Sequence, residues 1–338
     1  MPTPNAALSG TFAIGGDLVV NRLGFGAMRV TGSGIWGEPV DAAEARRTLA
    51  RVPELGINFI DTADSYGPEV SERLIGEVLR ELGARDRVVV ASKVPPLDGR
   101  WPPDPRAPLD AVFPPDHVVR TVEESLTRLR LDALPIEQLH VWLDDWLDAP
   151  AWPALRDTME RLTREGKVLH WGISVNDHAP GTALRALAEP IIETVQVIYN
   201  IFDRSAEAEL LPRAAAHRVG VIARVPFDEG ALVGAVRPDS TFDPADFRSR
   251  YFRGERRAEV AARVDRLRAL LGAEAATLPE LALRFCLSRP EVSSVIPGMR
   301  RLAHVERNLA AADGRRLSPE LLARLAEHAW DKNWYEWP

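Results

Sequence analysis

The 338-residue chain has a single cysteine, a deficit of positive charge, and no uninterrupted apolar stretch of the roughly 18 residues that a membrane helix needs. Cys286 alone cannot form an intramolecular disulfide or a cysteine-rich metal centre, and its setting in LALRFCLSR reads as the buried face of a helix. The histidines His117, His140, His170, His178, His217 and His304 show neither H-x-H nor H-E-x-x-H spacing and no accompanying carboxylate cluster, so no metal is expected. The opening MPTPNAALSG lacks the basic segment and apolar core of a secretory leader, which makes a cytoplasmic protein the expectation. With 42 Lys and Arg against 49 Asp and Glu the net charge is −7 and the pI about 5.6. That balance argues against nucleic acid or a membrane surface as partner, while leaving room for a local basic patch that binds one phosphate.

What is present is an ordinary globular composition, 46% hydrophobic and 27% charged, with apolar β-rich runs alternating with amphipathic helical runs. Strand candidates are LGFGAM (23–28), INFID (57–61), VVVASK (88–93), IEQLH (136–140), LHWGIS (169–174), ETVQVIY (193–199), GVIAR (220–224) and VSSVIP (292–297). Helical spacing falls near 41–55, 69–82, 115–130, 152–165, 180–188, 206–217, 279–288 and 301–312. Alternating units demand a parallel sheet, and eight of them in about 300 residues predict a closed (β/α)₈ TIM barrel, taken as a single domain over 1–338. TFAIGGDLVV (11–20) reads as a preceding hairpin, turned at Gly15, Gly16 and Asp17, that plugs the bottom of the barrel. The proline-rich stretch 94–116 and the region 231–271 do not fit the repeat. Following the third and seventh barrel strands, they read as long loops on the catalytic face.

GSGIWG (32–37) matches the G-x-G-x-x-G string of a Rossmann nucleotide fold, with Asp61 roughly where a ribose-binding acid belongs. That fingerprint needs its third glycine inside a helix running straight on. Here Gly37 is followed by Glu38 and Pro39, and helical spacing begins only after Asp41, so the segment reads as a loop over the barrel mouth.

Asp61 ends the second barrel strand, Tyr66 lies five residues later, Lys93 ends the third strand and His140 the fourth, so a barrel brings all four side chains to one mouth. Reducing a carbonyl by hydride transfer requires an acid for the developing alkoxide. A phenol with an ordinary pKa near 10 is tuned toward that task by an adjacent ammonium, and a carboxylate keeps the ammonium charged. These residues lie in motifs that resemble the aldo-keto reductase family: GINFIDTADSYG, VVVASKV, the LH closing the fourth strand, GKVLHWGIS, VQVIYN, GVIARVPFDEGALVG and SSVIPGMRRLAHVERNLAA, in order along nearly the whole chain. The segments LHVWLDDW and WGISVND resemble one bacterial branch of that family. The resemblance implies Tyr66 as proton donor, Lys93 and Asp61 as its tuning pair, and His140 orienting the substrate carbonyl.

It also implies a nicotinamide cofactor held by Ser174 and Gln196 at the carboxamide. The family often reads Ser-Asn where this chain has Ser174-Val175-Asn176, which shifts Asn176 by one place. Arg224 stands where some members stack an aromatic ring on the nicotinamide, a role a planar guanidinium suits. In PFDEGALVG, the segment from Pro226 and Phe227 through Gly230 and Leu232 offers backbone amides to the pyrophosphate. Gly298 precedes a helix N-terminus suited to phosphate, and Arg300 and Arg301 add forked donors that a 2′-phosphate uses and a bare ribose does not, which points to NADPH. His304 stands where members often carry an arginine or glutamine against the adenosine, and Asn308 matches the family's adenine-binding asparagine.

Aromatic residues crowd the expected mouth, with Trp36, Trp101 and Trp142 as the substrate-pocket candidates and WDKNWYEWP either a lid or a pinned tail. The reading is an NADPH-dependent reductase of a small aldehyde or ketone, keto-sugars among the candidates, with no metal, nucleic acid or membrane partner. The same residues serve alcohol oxidation. The rivals are a nucleotide-binding regulatory or adaptor protein on the same barrel, and a metal-dependent hydrolase or isomerase that chelation would inactivate.

Overall fold

The computed structural model describes residues 5–31, 40–67 and 69–335. A hairpin of β1 (Thr11–Ile14) and β2 (Leu18–Asn21) precedes eight parallel strands: β3 (Phe25–Gly26), β4 (Phe59–Asp61), β5 (Val89–Val94), β6 (Leu134–Leu139), β7 (Val168–Ser174), β8 (Ile192–Ile198), β9 (Gly220–Arg224) and β10 (Val292–Val295). Each pairs with its sequence neighbour. The sheet closes on itself through the parallel bridges Leu23 to Val295 and Gly26 to Gly298, and the expected TIM barrel is the observed fold. Gly26 is required at that seam, because a Cβ there would lie 2.7 Å from the Ile296 carbonyl oxygen.

These strands are buried on both faces, which is why they read as continuous apolar runs rather than as alternation. The hairpin delivers Ile14 and Val20 into the barrel interior against Phe59, Ala91, Ile136, Ile222 and Ile296, closing the end opposite the strands' C-termini. Each such fully buried aliphatic side chain stabilises the fold by about 1.5–3 kcal/mol. Outside the barrel, helices lay one stripe on the sheet. Ala42–Glu54 buries Ala45, Thr48, Leu49 and Val52, and its N-cap Asp41 accepts the Glu44 amide, so the helix begins where the spacing placed it. GSGIWG lies outside the described residues.

Two helical expectations change. The stretch 180–188 forms only the short 3₁₀ turns Pro180–Ala183 and Ala186–Ala188, and Glu189, which precedes a proline, is extended. The stretch 206–217 splits into Ser205–Glu207 and Leu210–His217. The long segment after β9 carries Phe247–Tyr251 and Arg256–Arg268, and a further helix, Pro319–Ala326, capped by Ser318, was not anticipated. Cys286 is buried in Leu278–Ser288, where burial pushes its thiol pKa upward, as its apolar setting implied. Among the described residues no helix is long and apolar enough to cross a membrane.

Candidate active site

Parallel register sets the ends of β4, β5 and β6 side by side, with Asp61 opposite Ala91, Lys93 opposite Gln138 and Leu139 opposite Ile173. Asp61 closes β4, Lys93 lies one residue from the end of β5, and His140 follows β6 directly. Tyr66 lies in the turn after β4, its amide donating to the Ala63 carbonyl. The buried Lys93 ammonium donates to both Asp61 oxygens at 2.8 Å, to the Thr62 carbonyl at 2.5 Å and to the Tyr66 hydroxyl at 3.5 Å. The second Asp61 oxygen also accepts from Gln196 Nε2 at 2.7 Å. The four residues thus meet at one mouth, with Asp61 gripped between β5 and β8.

The electrostatics follow from this packing. Burial works against the Lys93 charge, but Asp61 and Tyr66 outweigh it and raise its pKa. For Tyr66, burial pushes the phenol pKa up, and this exceeds the lowering by Lys93, which also faces the competing Asp61 carboxylate. The net direction is therefore upward, opposite to the lowering anticipated from the ammonium alone, and the phenol holds its proton through neutrality. Burial, then Lys93 and Arg224, holds His140 well below its ordinary range, so its ring is neutral. That ring meets Trp101 edge-to-face at 4.4 Å and Tyr66 at 6.0 Å between centroids.

Beside this cluster, Ser174 ends β7 and its buried hydroxyl has no hydrogen-bond partner among the described residues. Asn176 donates to the Trp142 carbonyl at 3.0 Å, while its side-chain oxygen and Arg224 Nε are likewise buried and unpartnered. Orphaned buried polar atoms are uncommon, and these offer both acceptors and a donor to a planar amide, so the residues fit a nicotinamide. Gln196 is held by Asp61, and Arg224 by Asp177 at 2.8 Å and the Val175 carbonyl at 2.9 Å.

After β9 the backbone turns left-handed at Val225, Asp228, Glu229 and Gly230, and only Gly230, at φ +96°, does so without a Cβ penalty. Pro226 is buried, Phe227 packs partly against the core, and Leu232 is buried, so this loop presents backbone rather than side chains. Gly298 is exposed at the barrel seam, and Arg300 and Arg301 precede Leu302–Ala311. The first amide of that helix, Leu302, already donates to the Glu44 carboxylate at 3.3 Å. His304 is half-buried on the helix and Asn308 is buried.

The pocket candidates separate. Trp101 stands at the mouth and donates from its indole to Asp177 at 3.0 Å. Trp142 is a correction: it is fully buried, packed edge-on against Trp146 and Trp152, because the chain turns back into the apolar shell two residues past His140. Trp36 lies outside the described residues. The tail is pinned, with Arg263 over the Trp330 ring, Arg256 over Trp334, and Lys332 donating to Asp228 at 2.8 Å and Tyr251 at 2.7 Å. Tyr335, the last described residue, reaches the loop after β9, where its hydroxyl donates to Glu229. Sequence reasoning missed Asp177 and Glu229, and only their adjacency to Asn176 and to the glycine loop hinted at them. Among the described residues no group of His, Cys, Asp or Glu is placed to hold a metal.

Residues 22–329 match the profile of the Aldo/keto reductase family. The chain is 31% identical to pyridoxine 4-dehydrogenase of Escherichia coli, over 94% of this chain and 97% of that protein. It is 30% identical to a probable voltage-gated potassium channel subunit beta of Arabidopsis thaliana, over 88% of each. Among solved structures it resembles a glycerol dehydrogenase of Gluconobacter oxydans with a TM-score of 0.76 and 26% identity, over 95% of each chain.

Proposed function

The chain belongs to the Aldo/keto reductase family, and from that premise we propose that it is an NADPH-dependent oxidoreductase reducing an aldehyde or ketone to an alcohol. The observation that carries the reading is the Lys93 ammonium, shared between the Asp61 carboxylate and the Tyr66 hydroxyl beside a neutral His140. Tyr66 keeps its proton through neutrality and gives it to the carbonyl oxygen as negative charge develops there. Lys93 stabilises the phenolate left behind, Asp61 keeps Lys93 charged and oriented, and His140 positions the oxygen as a neutral hydrogen-bonding group.

The nicotinamide, when bound, supplies the hydride. Ser174, Asn176 and Gln196 would hold its carboxamide, with Arg224 beside them. The turn from Pro226 and Phe227 to Gly230 and Leu232 takes the pyrophosphate on backbone amides. Gly298, Arg300, Arg301, His304 and Asn308 take the adenosine end, with the two arginines favouring a 2′-phosphate. The Leu302 amide at the start of that helix donates to the Glu44 carboxylate, which a bound phosphate would have to displace.

Titrating intrinsic fluorescence with NADPH and NADH, then following 340 nm absorbance across aldehydes, keto-sugars and quinones, tests the reading. Tight NADPH binding with turnover supports it; comparable kcat/KM with NADH removes the cofactor preference, and no nucleotide binding removes the whole reading. Tight binding without turnover favours a second one, a nucleotide-binding regulatory protein, for which the similarity to a probable potassium channel subunit beta speaks. The neighbouring glycerol dehydrogenase favours assaying alcohol oxidation as well.

A further inference from the structure

Asp177 lies on none of the strands that carry Asp61, Lys93 or His140, yet it joins three parts of the mouth. It sits in the loop after β7, buried to 7% exposure, and each carboxylate oxygen has its own donor. Oδ1 takes Arg224 Nη2 at 2.8 Å from the end of β9, and Oδ2 takes the Trp101 indole at 3.0 Å from the loop after β5. The same Arg224 nitrogen donates to the Val175 carbonyl. Trp101 in turn stands edge-on to the His140 ring. Arg224 is close enough to act electrostatically on both His140 and Tyr66.

Among the described residues the charges beside Tyr66 and His140 therefore cancel in pairs. Lys93 is matched by Asp61 and Arg224 by Asp177, and His140 is neutral. A carbonyl compound bearing a carboxylate would be stripped of water there and would meet a guanidinium whose charge Asp177 already matches, which is costly; an uncharged carbonyl meets no such penalty.

We propose that Asp177 is a specificity-determining residue that masks Arg224 and anchors Trp101 over His140, reserving the site for uncharged aldehydes and ketones. The inference rests on the reductase reading above and adds the substrate class to it. Arg224 then acts at the carbonyl pocket through its pairing, and an unmasked Arg224 would recruit anionic carbonyls.

The test compares kcat/KM for 4-nitrobenzaldehyde and 4-carboxybenzaldehyde at saturating NADPH and fixed salt. Wild type should favour the nitro compound by about tenfold or more. Asp177→Asn keeps an oxygen for the Trp101 indole but loses the charge. It should shrink that selectivity ratio by about 10- to 100-fold, the range a charge-assisted hydrogen bond supplies, with the change in KM of the carboxylated substrate. Adding Arg224→Gln should abolish the gain, which a merely structural role for Asp177 would not predict. An unchanged ratio in Asp177→Asn, a wild-type preference for the carboxylated substrate, or a gain that survives Arg224→Gln each overturns the proposal. Should Asp177→Asn fail to fold, Asp177→Ser, which retains a hydroxyl for the indole, is read in the same way. If wild type reduces neither aldehyde, benzoate and benzamide binding to the NADPH-containing protein separates the two readings. Tighter benzoate binding in the variant keeps the masking and rejects the reductase; no tightening overturns the masking.

Discussion

Lys93 grips both oxygens of Asp61 at 2.8 Å while standing 3.5 Å from the Tyr66 hydroxyl, so the ammonium is bound first to its carboxylate and only then to the phenol. Both members of the pair are almost wholly shielded from water, with side-chain exposures of 0% and 3%. Removing one partner strands a buried charge. Lys93→Met should cost about 3–5 kcal/mol in urea denaturation, and adding Asp61→Leu should recover part of that loss. A cost below about 1 kcal/mol for the single variant would show the pair to be better solvated than its burial indicates.

Tyr66 is the proton donor in the proposed reaction, and its phenol stays protonated at neutral pH. Tyr66→Phe should lower kcat by about 10²–10⁴-fold in a chemistry-limited assay while leaving NADPH affinity close to wild type. Near wild-type turnover would remove Tyr66 from the mechanism.

The Ser174 hydroxyl has no partner to lose among the described residues. Ser174→Ala should therefore leave Tm within about 1–2 °C of wild type, yet weaken NADPH binding by about three- to tenfold, the worth of one hydrogen bond. Fluorescence titration and thermal melts on the same preparation separate the two effects, and unchanged affinity would take Ser174 out of the nucleotide site.

Burial pushes the Glu229 carboxyl up to about 8, with Tyr335 donating to it as a smaller opposing influence. A carboxyl pKa raised by folding means that the folded state holds a proton which the unfolded chain releases near its ordinary pKa. That contribution to stability is complete below about pH 4.5 and is lost as pH rises through about 8. Glu229→Gln removes the loss. Across melts from about pH 5 to about pH 9 its Tm should gain steadily on wild type. A parallel fall of the two curves would place the Glu229 carboxyl in water.

Much of the fold was legible because alternation of apolar runs with helical spacing is a local signal, and eight repeats of it leave few closed arrangements. The turn at Gly15 and Gly16, the N-cap at Asp41 and the buried setting of Cys286 all come from neighbouring residues, and the structure has them. The helix expected over 180–188 is instead the two short 3₁₀ turns Pro180–Ala183 and Ala186–Ala188. Trp142 was misplaced because an aromatic two residues after a mouth histidine looks alike in sequence whether it lines a cavity or turns into the shell.

The sequence by itself determined that Asp61, Tyr66, Lys93 and His140 would share one mouth, since residues at the C-terminal ends of parallel strands converge in any (β/α)₈ barrel. It also determined that the chain carries no cysteine framework. Only the tertiary structure decided how the charges are matched: that Asp61 is held by Lys93 and Gln196 together, that Asp177 joins Trp101 to Arg224, and that Tyr335 reaches back to Glu229. These partners lie 32 to 135 residues apart, brought within hydrogen-bonding distance by loops whose course no local periodicity records. The direction of the Tyr66 shift belongs with them, because it depends on how much water the assembled mouth excludes.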